Sequence, residues 1–179
     1  IDSKLEPGEI GKSIEHILGY YYVQEIASMM PVIALNPEKN EIILDLCSAP
    51  GSKTTQLAMY MENTGTIMAN DSNVGRMNVL STNMQRCCVT NTVVTKMDGN
   101  DLCKKLSKIG FQFDKILVDA PCSGEGTIRS SAQAIQMFSE NSIMKLSSIQ
   151  KSLVKNAISV LKNNGELIYS TCTHAPEEN

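Results

Sequence analysis

Ile42-Ile43-Leu44-Asp45-Leu46-Cys47-Ser48-Ala49-Pro50-Gly51-Ser52-Lys53-Thr54 is an apolar run, a Pro-Gly turn and the start of a helical pattern. The run is short, continuous and β-branched at its start, which suits a strand covered on both faces. Beyond the turn, Thr54, Leu57, Ala58 and Met61 recur at i, i+3, i+4 and i+7, so a helix begins just after Gly51. A strand feeding straight into a helix is the first half of a βαβ unit.

The rest of the chain repeats that rhythm. Residues 66–70, 92–95, 115–119 and 166–170 read as four more strands. Val74, Met77, Ser81, Met84 and Cys88 mark one helical face between them, and Leu102, Leu106 and Ile109 a shorter one. Leu146, Ile149, Leu153, Ala157 and Val160 mark a long helix, closed by Asn163-Asn164-Gly165. Upstream, Val23, Ile26, Ala27 and Met30 suggest a helix that Pro31 kinks or interrupts. The serine-rich residues 123–152 are expected to form a long surface loop. The expected fold is therefore α/β, with a doubly wound, mostly parallel sheet. The strand count leaves no closing hairpin, and the first residue is Ile1 rather than Met. Both observations suggest a domain clipped at its ends, with residues 1–19 an extension or linker before a domain at 20–179.

Composition removes several function classes. The chain has 179 residues, 42% of them hydrophobic and 20% charged, which supports one packed domain and excludes disorder. Its net charge of −3 excludes a wholly basic nucleic-acid binder, though not a local basic groove. No apolar run is long enough to cross a bilayer, and no signal peptide opens the chain. The six Cys contain no CxxC and are accompanied by only two His, so neither a zinc site nor a disulfide framework is expected. Reduced intracellular thiols fit better.

In a doubly wound sheet, ligands bind at the carboxyl ends of strands, where strand order reverses. Three motifs fall at such ends: residues 45–54, Asp119-Ala120-Pro121-Cys122 and Ser170-Thr171-Cys172-Thr173. The first resembles neither a P-loop nor a dinucleotide fingerprint, because it lacks their glycines. Acidic residues fit a nucleoside instead. Asp71 ends the second strand, where a carboxylate can accept ribose hydroxyls, and Asp98 follows the third, where an acceptor can take an adenine amino group. The plainer reading of either is a helix cap. Cys122 and Cys172 each follow a strand closely enough to face one crevice; the plainer reading is two buried small hydrophobes.

Taken together and in order, Tyr21-Tyr22-Val23-Gln24-Glu25 with Ser28-Met29, residues 44–58, Ala69-Asn70-Asp71, Asp98-Gly99, residues 118–127 and residues 169–179 resemble the Nop/Sun family of RNA cytosine-5 methyltransferases. The likeness implies a Rossmann-like class I methyltransferase fold with S-adenosylmethionine as cofactor. Cys47, Ser48, Ala49, Pro50, Gly51, Ser52 and Lys53 would hold its methionine part, Asp71 its ribose and Asp98 its adenine. Arg76 would be a further cofactor contact, its alternative a surface ion pair. Asp119 would touch both cofactor and cytosine, with Lys53 helping to hold the base. Cys172 would be the nucleophile and Cys122 would assist release. The chemistry explains the need for a thiol. Carbon 5 of cytosine is too electron-poor to attack a methyl donor until a thiolate adds at carbon 6. An acid beside ring nitrogen 3 must then offset the developing charge, and Asp119 is placed for it. Ser48 and Ser52 stand where the family more often has Ala and Gly; both are small, so altered loop hydrogen bonds are expected rather than lost activity.

No metal is implied. The RNA would be ribosomal or transfer RNA, in the cytoplasm or, in a eukaryote, the nucleus or nucleolus. Lys104, Lys105 and Lys108, or Arg129 with Lys145, Lys151 and Lys155, could supply a basic rim, and further RNA-binding segments are expected outside this stretch. His174 stands two residues past Cys172, where it could tune the thiol or sit in an exposed loop. Two other functions compete: a DNA cytosine-5 methyltransferase attacking through Cys122, and a cofactor-binding scaffold for ribonucleoprotein assembly.

Overall fold

The computed structural model describes residues 8–127 and 139–179. Its sheet has five parallel strands: β1 (Ile42–Asp45), β2 (Thr66–Asp71), β3 (Thr92–Lys96), β4 (Phe113–Asp119) and β5 (Leu161–Ser170). They lie in the order β3-β2-β1-β4-β5, so the winding reverses between β1 and β4. Register puts Asp45 beside both Ala69 and Leu117, and Asp119 beside Ser170. The expected doubly wound α/β architecture is the one observed.

Alternating side chains send the two faces of the sheet into separate cores. Ile43, Ile67 and Leu117 pack against Val32 and Leu35 of α2 (Ile26–Leu35) and against Leu57 and Ala58 of α3 (Ser52–Tyr60), with Met61 just beyond it. Leu44, Ile116 and Val118 pack oppositely, against Leu102 and Cys103 of α5 (Gly99–Lys108) and Leu153 and Ala157 of α6 (Glu140–Ile158). Each fully buried Leu or Ile of this kind is worth about 1.5–3 kcal/mol. Leu80 and Met84 of α4 (Val74–Arg86) join Ala49 and Ala69 in a third cluster, beneath the first loop.

Several expectations need correction. Helix α2 runs through Pro31 to Leu35, anchored by buried Val32 and Leu35, and begins only at Ile26. Pro31 cannot donate to the Ala27 carbonyl, and Ala27 is exposed, where water is available to it. On α4, Val74 is 52% exposed, and Cys88 lies past the helix end with φ 52°; Leu80 and Met84 carry the packing. Ile109 likewise caps α5 in solvent. The serine-rich segment is not one loop. From Glu140 it is helix, capped by Ser139, whose hydroxyl accepts the Ser142 N–H at 3.2 Å. Residues 128–138, Arg129 among them, lie outside the described residues. Asn163-Asn164-Gly165 does not end the helix, which stops at Ile158; it sits inside β5, where pairing jumps from Phe113–Leu161 to Lys115–Glu166.

Upstream, a short helix α1 (Ile14–Ile17) and the following strap dock on the end of α4. The Arg86 guanidinium donates to the carbonyls of His16 at 2.7 Å and Tyr21 at 3.2 Å. The strap leads directly into α2, whose first turn borders the site.

Candidate active site

The loop after β1 is held from below by β2. Ser48 donates both its N–H and its hydroxyl to the Asn70 carbonyl, at 2.8 and 2.9 Å. The Asn70 amide donates in turn to the carbonyls of Leu46 at 3.1 Å and Met97 at 3.0 Å, and accepts from the Thr95 hydroxyl. Asp71 is 4% exposed; its two oxygens accept the N–H groups of Asn73 at 2.9 Å and Ala49 at 3.3 Å. Arg76 pairs with Asp71 at 3.6 Å and donates to the Ala49 carbonyl. The Ala49–Pro50 bond is cis. Gly51 follows at φ 106°, a conformation that favours glycine, and a Cβ there would meet the ends of the Met84 and Leu80 side chains at 2.8 and 2.9 Å.

Asp45 sits beneath this loop and is fully buried. It accepts the Thr54 hydroxyl at 2.7 Å through Oδ2, while Oδ1 has no partner among the described residues. Burial, with Asp119 and Asp71 nearby, pushes its carboxyl up to about 7, against the pull of the Thr54 hydrogen bond and Lys53. Burial and the same carboxylates push the Cys47 thiol up to about 12, so Cys47 stays protonated. Asp98 caps α5, its Oδ1 accepting the N–H groups of Asn100 at 2.9 Å and Asp101 at 3.3 Å. The cap competes with the adenine role for one of its oxygens only.

The second half of the site bridges the reversal point. Lys53, at the start of α3, places Nζ 2.6 Å from Asp119 at the end of β4 and also donates to the Ser28 hydroxyl at 3.1 Å. The other Asp119 oxygen accepts the Ser170 hydroxyl at 2.7 Å. Just beyond, the sulfurs of Cys122 and Cys172 are 3.2 Å apart, and the Cys172 N–H points at Cys122 Sγ from 3.3 Å. Ser123 and Thr173 share a hydroxyl hydrogen bond of 2.8 Å, and the Gly126 N–H donates to the Cys172 carbonyl at 2.8 Å. A Cβ on Gly126 would stand 2.8 Å from that carbonyl oxygen, so the loop approaches only because the residue is glycine.

The pair therefore favours one charge. The hydrogen bond from the Cys172 thiol, helped by backbone N–H groups, lowers Cys122 to about 7, whereas the same bond and burial raise Cys172 strongly. Of the two, Cys122 is the more readily ionised and Cys172 the more firmly protonated. Such a site offers a base, a nucleophile, a lysine–carboxylate pair and a nearby loop able to seat a polar ligand. Among the described residues no group of three or more His, Cys, Asp or Glu could hold a metal.

The sequence-selected residues thus fall into two joined sets: the residue 47–53 loop with Asp71 and Arg76, and Lys53 with Asp119 beside the two thiols. Sequence reasoning quoted Asp45, Asn70, Ser28, Ser170 and Gly126 within its motifs but gave none of them a role. Alternation could have exposed Asp45, an acid in an otherwise apolar strand; the others have no local signal. His174 is exposed, Cys103 is in the core, and Lys104 pairs on the surface with Asp101 at 3.9 Å.

The family model described as 16S rRNA methyltransferase RsmB/F matches residues 32–179. A curated relative from Aliivibrio salmonicida, ribosomal RNA small subunit methyltransferase F, is 45% identical over 173 residues, covering 96% of this chain and 36% of its own length. The chain thus spans little more than a third of such relatives. Among solved structures, NSun6 from Pyrococcus horikoshii with SFG superposes with a TM-score of 0.84 at 34% identity, covering 94% of this chain and 42% of that one. A methyltransferase homolog from the same organism gives 0.80 at 37% identity, covering 97% and 53%.

Proposed function

The chain belongs to the RsmB/F family of 16S rRNA methyltransferases, and from that premise we propose that it transfers a methyl group from S-adenosylmethionine to carbon 5 of a cytosine in ribosomal RNA through a covalent cysteine adduct. The residues fit that cofactor. A buried carboxylate at the end of β2 suits a ribose diol, and a loop pinned by Asn70 and Asp71 offers backbone groups at the start of α3. When bound, the cofactor supplies an electrophilic methyl group. Cys47, Ser48, Ala49, Pro50, Gly51, Ser52 and Lys53 would line its methionine part, Asp71 and Arg76 its ribose side, and Asp98 its adenine.

The chain's own residues would act on the base. Cys122, as thiolate, takes the Cys172 proton while the Cys172 sulfur forms a bond to carbon 6 of the ring. The displaced electron pair makes carbon 5 nucleophilic, and Asp119, with the Lys53 ammonium behind it, supports the ring edge where charge develops. Cys122 is half-buried and can return its proton to solvent. After methylation it accepts the proton from carbon 5, the bond from carbon 6 to sulfur breaks, and Cys172 leaves with that pair. The 3.2 Å separation of the two sulfurs beside the Lys53–Asp119 pair carries this reading. The easier ionisation of Cys122 also fits the DNA-type alternative, in which Cys122 attacks. The proton relay accounts for it without exchanging the roles.

Denaturing electrophoresis with labelled RNA and cofactor is the test. Cys172→Ala should form no adduct, and Cys122→Ala should accumulate one slowly, because Cys172 must then lose its proton to solvent while no thiolate remains to take the proton from carbon 5. The reverse pattern would favour attack by Cys122, and turnover indifferent to both changes would favour a scaffold. Among the described residues no helix is long and apolar enough to cross a membrane. The relatives named above offer no support for a nucleolar site, and a cytoplasmic enzyme acting on ribosomal RNA is the consistent reading.

A further inference from the structure

Beneath the Cys122 loop lies a carboxylate that the reaction above does not use. Glu178, in the short turn Pro176–Glu178, is 3% exposed. Its Oε2 accepts the Ser123 N–H at 3.1 Å and the Gln150 amide at 2.7 Å, while Oε1 has no partner among the described residues. Gln150, on α6, also donates to the Pro121 carbonyl at 2.9 Å. The turn itself is tied down twice: Tyr169 on β5 donates its hydroxyl to the Glu178 carbonyl at 2.6 Å, and Ser147 on α6 donates to the Glu177 carbonyl. Gln150 and Glu178 therefore grip the loop on either side of Cys122.

A buried carboxylate whose hydrogen bonds come from neutral donors is a costly way to brace a loop, since removing a charge from water is expensive and no ion pair to it forms among the described residues. Its position gives it a use. We propose that Glu178 is a positioning residue: by holding the Ser123 N–H and the Gln150 amide, it keeps Cys122 Sγ within reach of Cys172 Sγ. Its charge has a second effect. The groups facing Cys122 are Cys172 from the segment after β5, Glu178 from the terminal turn, and Tyr169 from β5; Asp119 faces Cys172. Of these, Glu178 favours the protonated thiol of Cys122, which suits a group that must accept a proton from carbon 5. The inference rests on the two-thiol reading of function.

The test compares Glu178→Gln, Glu178→Ala and the exposed neighbour Glu177→Gln, first by the pH dependence of Cys122 alkylation with iodoacetamide, mapped by mass spectrometry without RNA or cofactor. Glu178→Gln keeps an acceptor for the Ser123 N–H but removes the charge, so the alkylation midpoint of Cys122 should fall while Glu177→Gln leaves it in place. Glu178→Ala removes the brace together with the charge; loss of the sulfur–sulfur hydrogen bond, the larger influence on Cys122, should outweigh loss of the charge, so the midpoint should rise, and kcat should drop by up to about 100-fold, as misplacement near 1 Å can do. A Cys122 midpoint and a kcat equal in wild type and Glu178→Ala overturn the proposal, and if that variant does not fold, Gln150→Leu, which removes the other grip on the loop, decides the matter in the same way. Absence of methylation by the wild type would sink the functional reading alone, since alkylation still reports on Glu178.

Discussion

Removing the Cys172 thiol should make Cys122 harder to ionise. The hydrogen bond between the two sulfurs is the leading reason Cys122 lies near 7 instead of an ordinary 9.0. At pH 7 a thiol with that lowered value is about half ionised, whereas an ordinary one is about 1% ionised, a ratio of about 50. Reactivity changes less than population, because a more basic thiolate is the better nucleophile. With a Brønsted slope of about 0.45, a two-unit rise returns about 8-fold, leaving a net fall of about 6-fold in the alkylation rate at pH 7. The Cys172 N–H remains in Cys172→Ala and still donates to Cys122 Sγ, so about 6-fold is the ceiling. The midpoint is the cleaner quantity. Iodoacetamide labelling from pH 6 to pH 10, resolved by peptide mass, should show the Cys122 midpoint rising in Cys172→Ala. In Cys122→Ala the midpoint of Cys172 should fall toward that of a free thiol. A Cys122 midpoint that stays near 7 without Cys172 would mean that backbone N–H groups alone stabilise the thiolate, and the proton relay would lose its basis.

Asp71→Ala should weaken S-adenosylmethionine binding by about 10–150-fold, the equivalent of about 1.5–3 kcal/mol for hydrogen bonds to a charged group; calorimetry giving an unchanged affinity would remove Asp71 from the site. Gly126→Ala should leave cofactor affinity intact and abolish most turnover, because the new methyl group must push the Cys172 carbonyl away from a 2.8 Å contact; wild-type kinetics would refute the close approach. Asp45 predicts a pH dependence of stability. Its folded value, about 7, is raised above the unfolded one near 3.8, so its contribution is fully present below about 4 and is lost as pH rises through about 7. Asp45→Asn should therefore raise the melting temperature relative to wild type more at pH 8.5 than at pH 5, and an equal difference at both would show that Asp45 is not neutral in the fold.

The strands were legible because the apolar runs at 42, 66 and 115 occupy a sheet covered by helices on both faces, where composition and position agree, and the run at 92 keeps the β-branched composition at the sheet's edge with Val93 half exposed. Helical faces were less so. Periodicity located α4 but misjudged which residues it buries, since Val74 and Cys88 fall at ends that no partner covers. Serine content misread the start of α6, because Ser139 serves there as a cap and Ser147 as a donor to the terminal turn. Site residues at strand ends could be read from motif order alone. The contacts of Ser170, Gly126 and Glu178 could not, although all three lie in quoted motifs: each acts on a residue about 50 positions away in sequence, through contacts that exist only once β4, β5 and α6 are assembled. Asp98 illustrates the opposite difficulty, since one oxygen serves the local cap whatever else the residue does.

The Asn70 side chain ties together the ends of three neighbouring strands, and the Asn70 backbone carbonyl receives both donors of Ser48. The loop after β1 thus takes its shape from the framework rather than from whatever occupies it. A ligand arriving there meets an arrangement whose conformational freedom was surrendered during folding, so little further ordering of the chain opposes association. Binding at this loop should accordingly be accompanied by small changes in amide hydrogen exchange around residues 46–49.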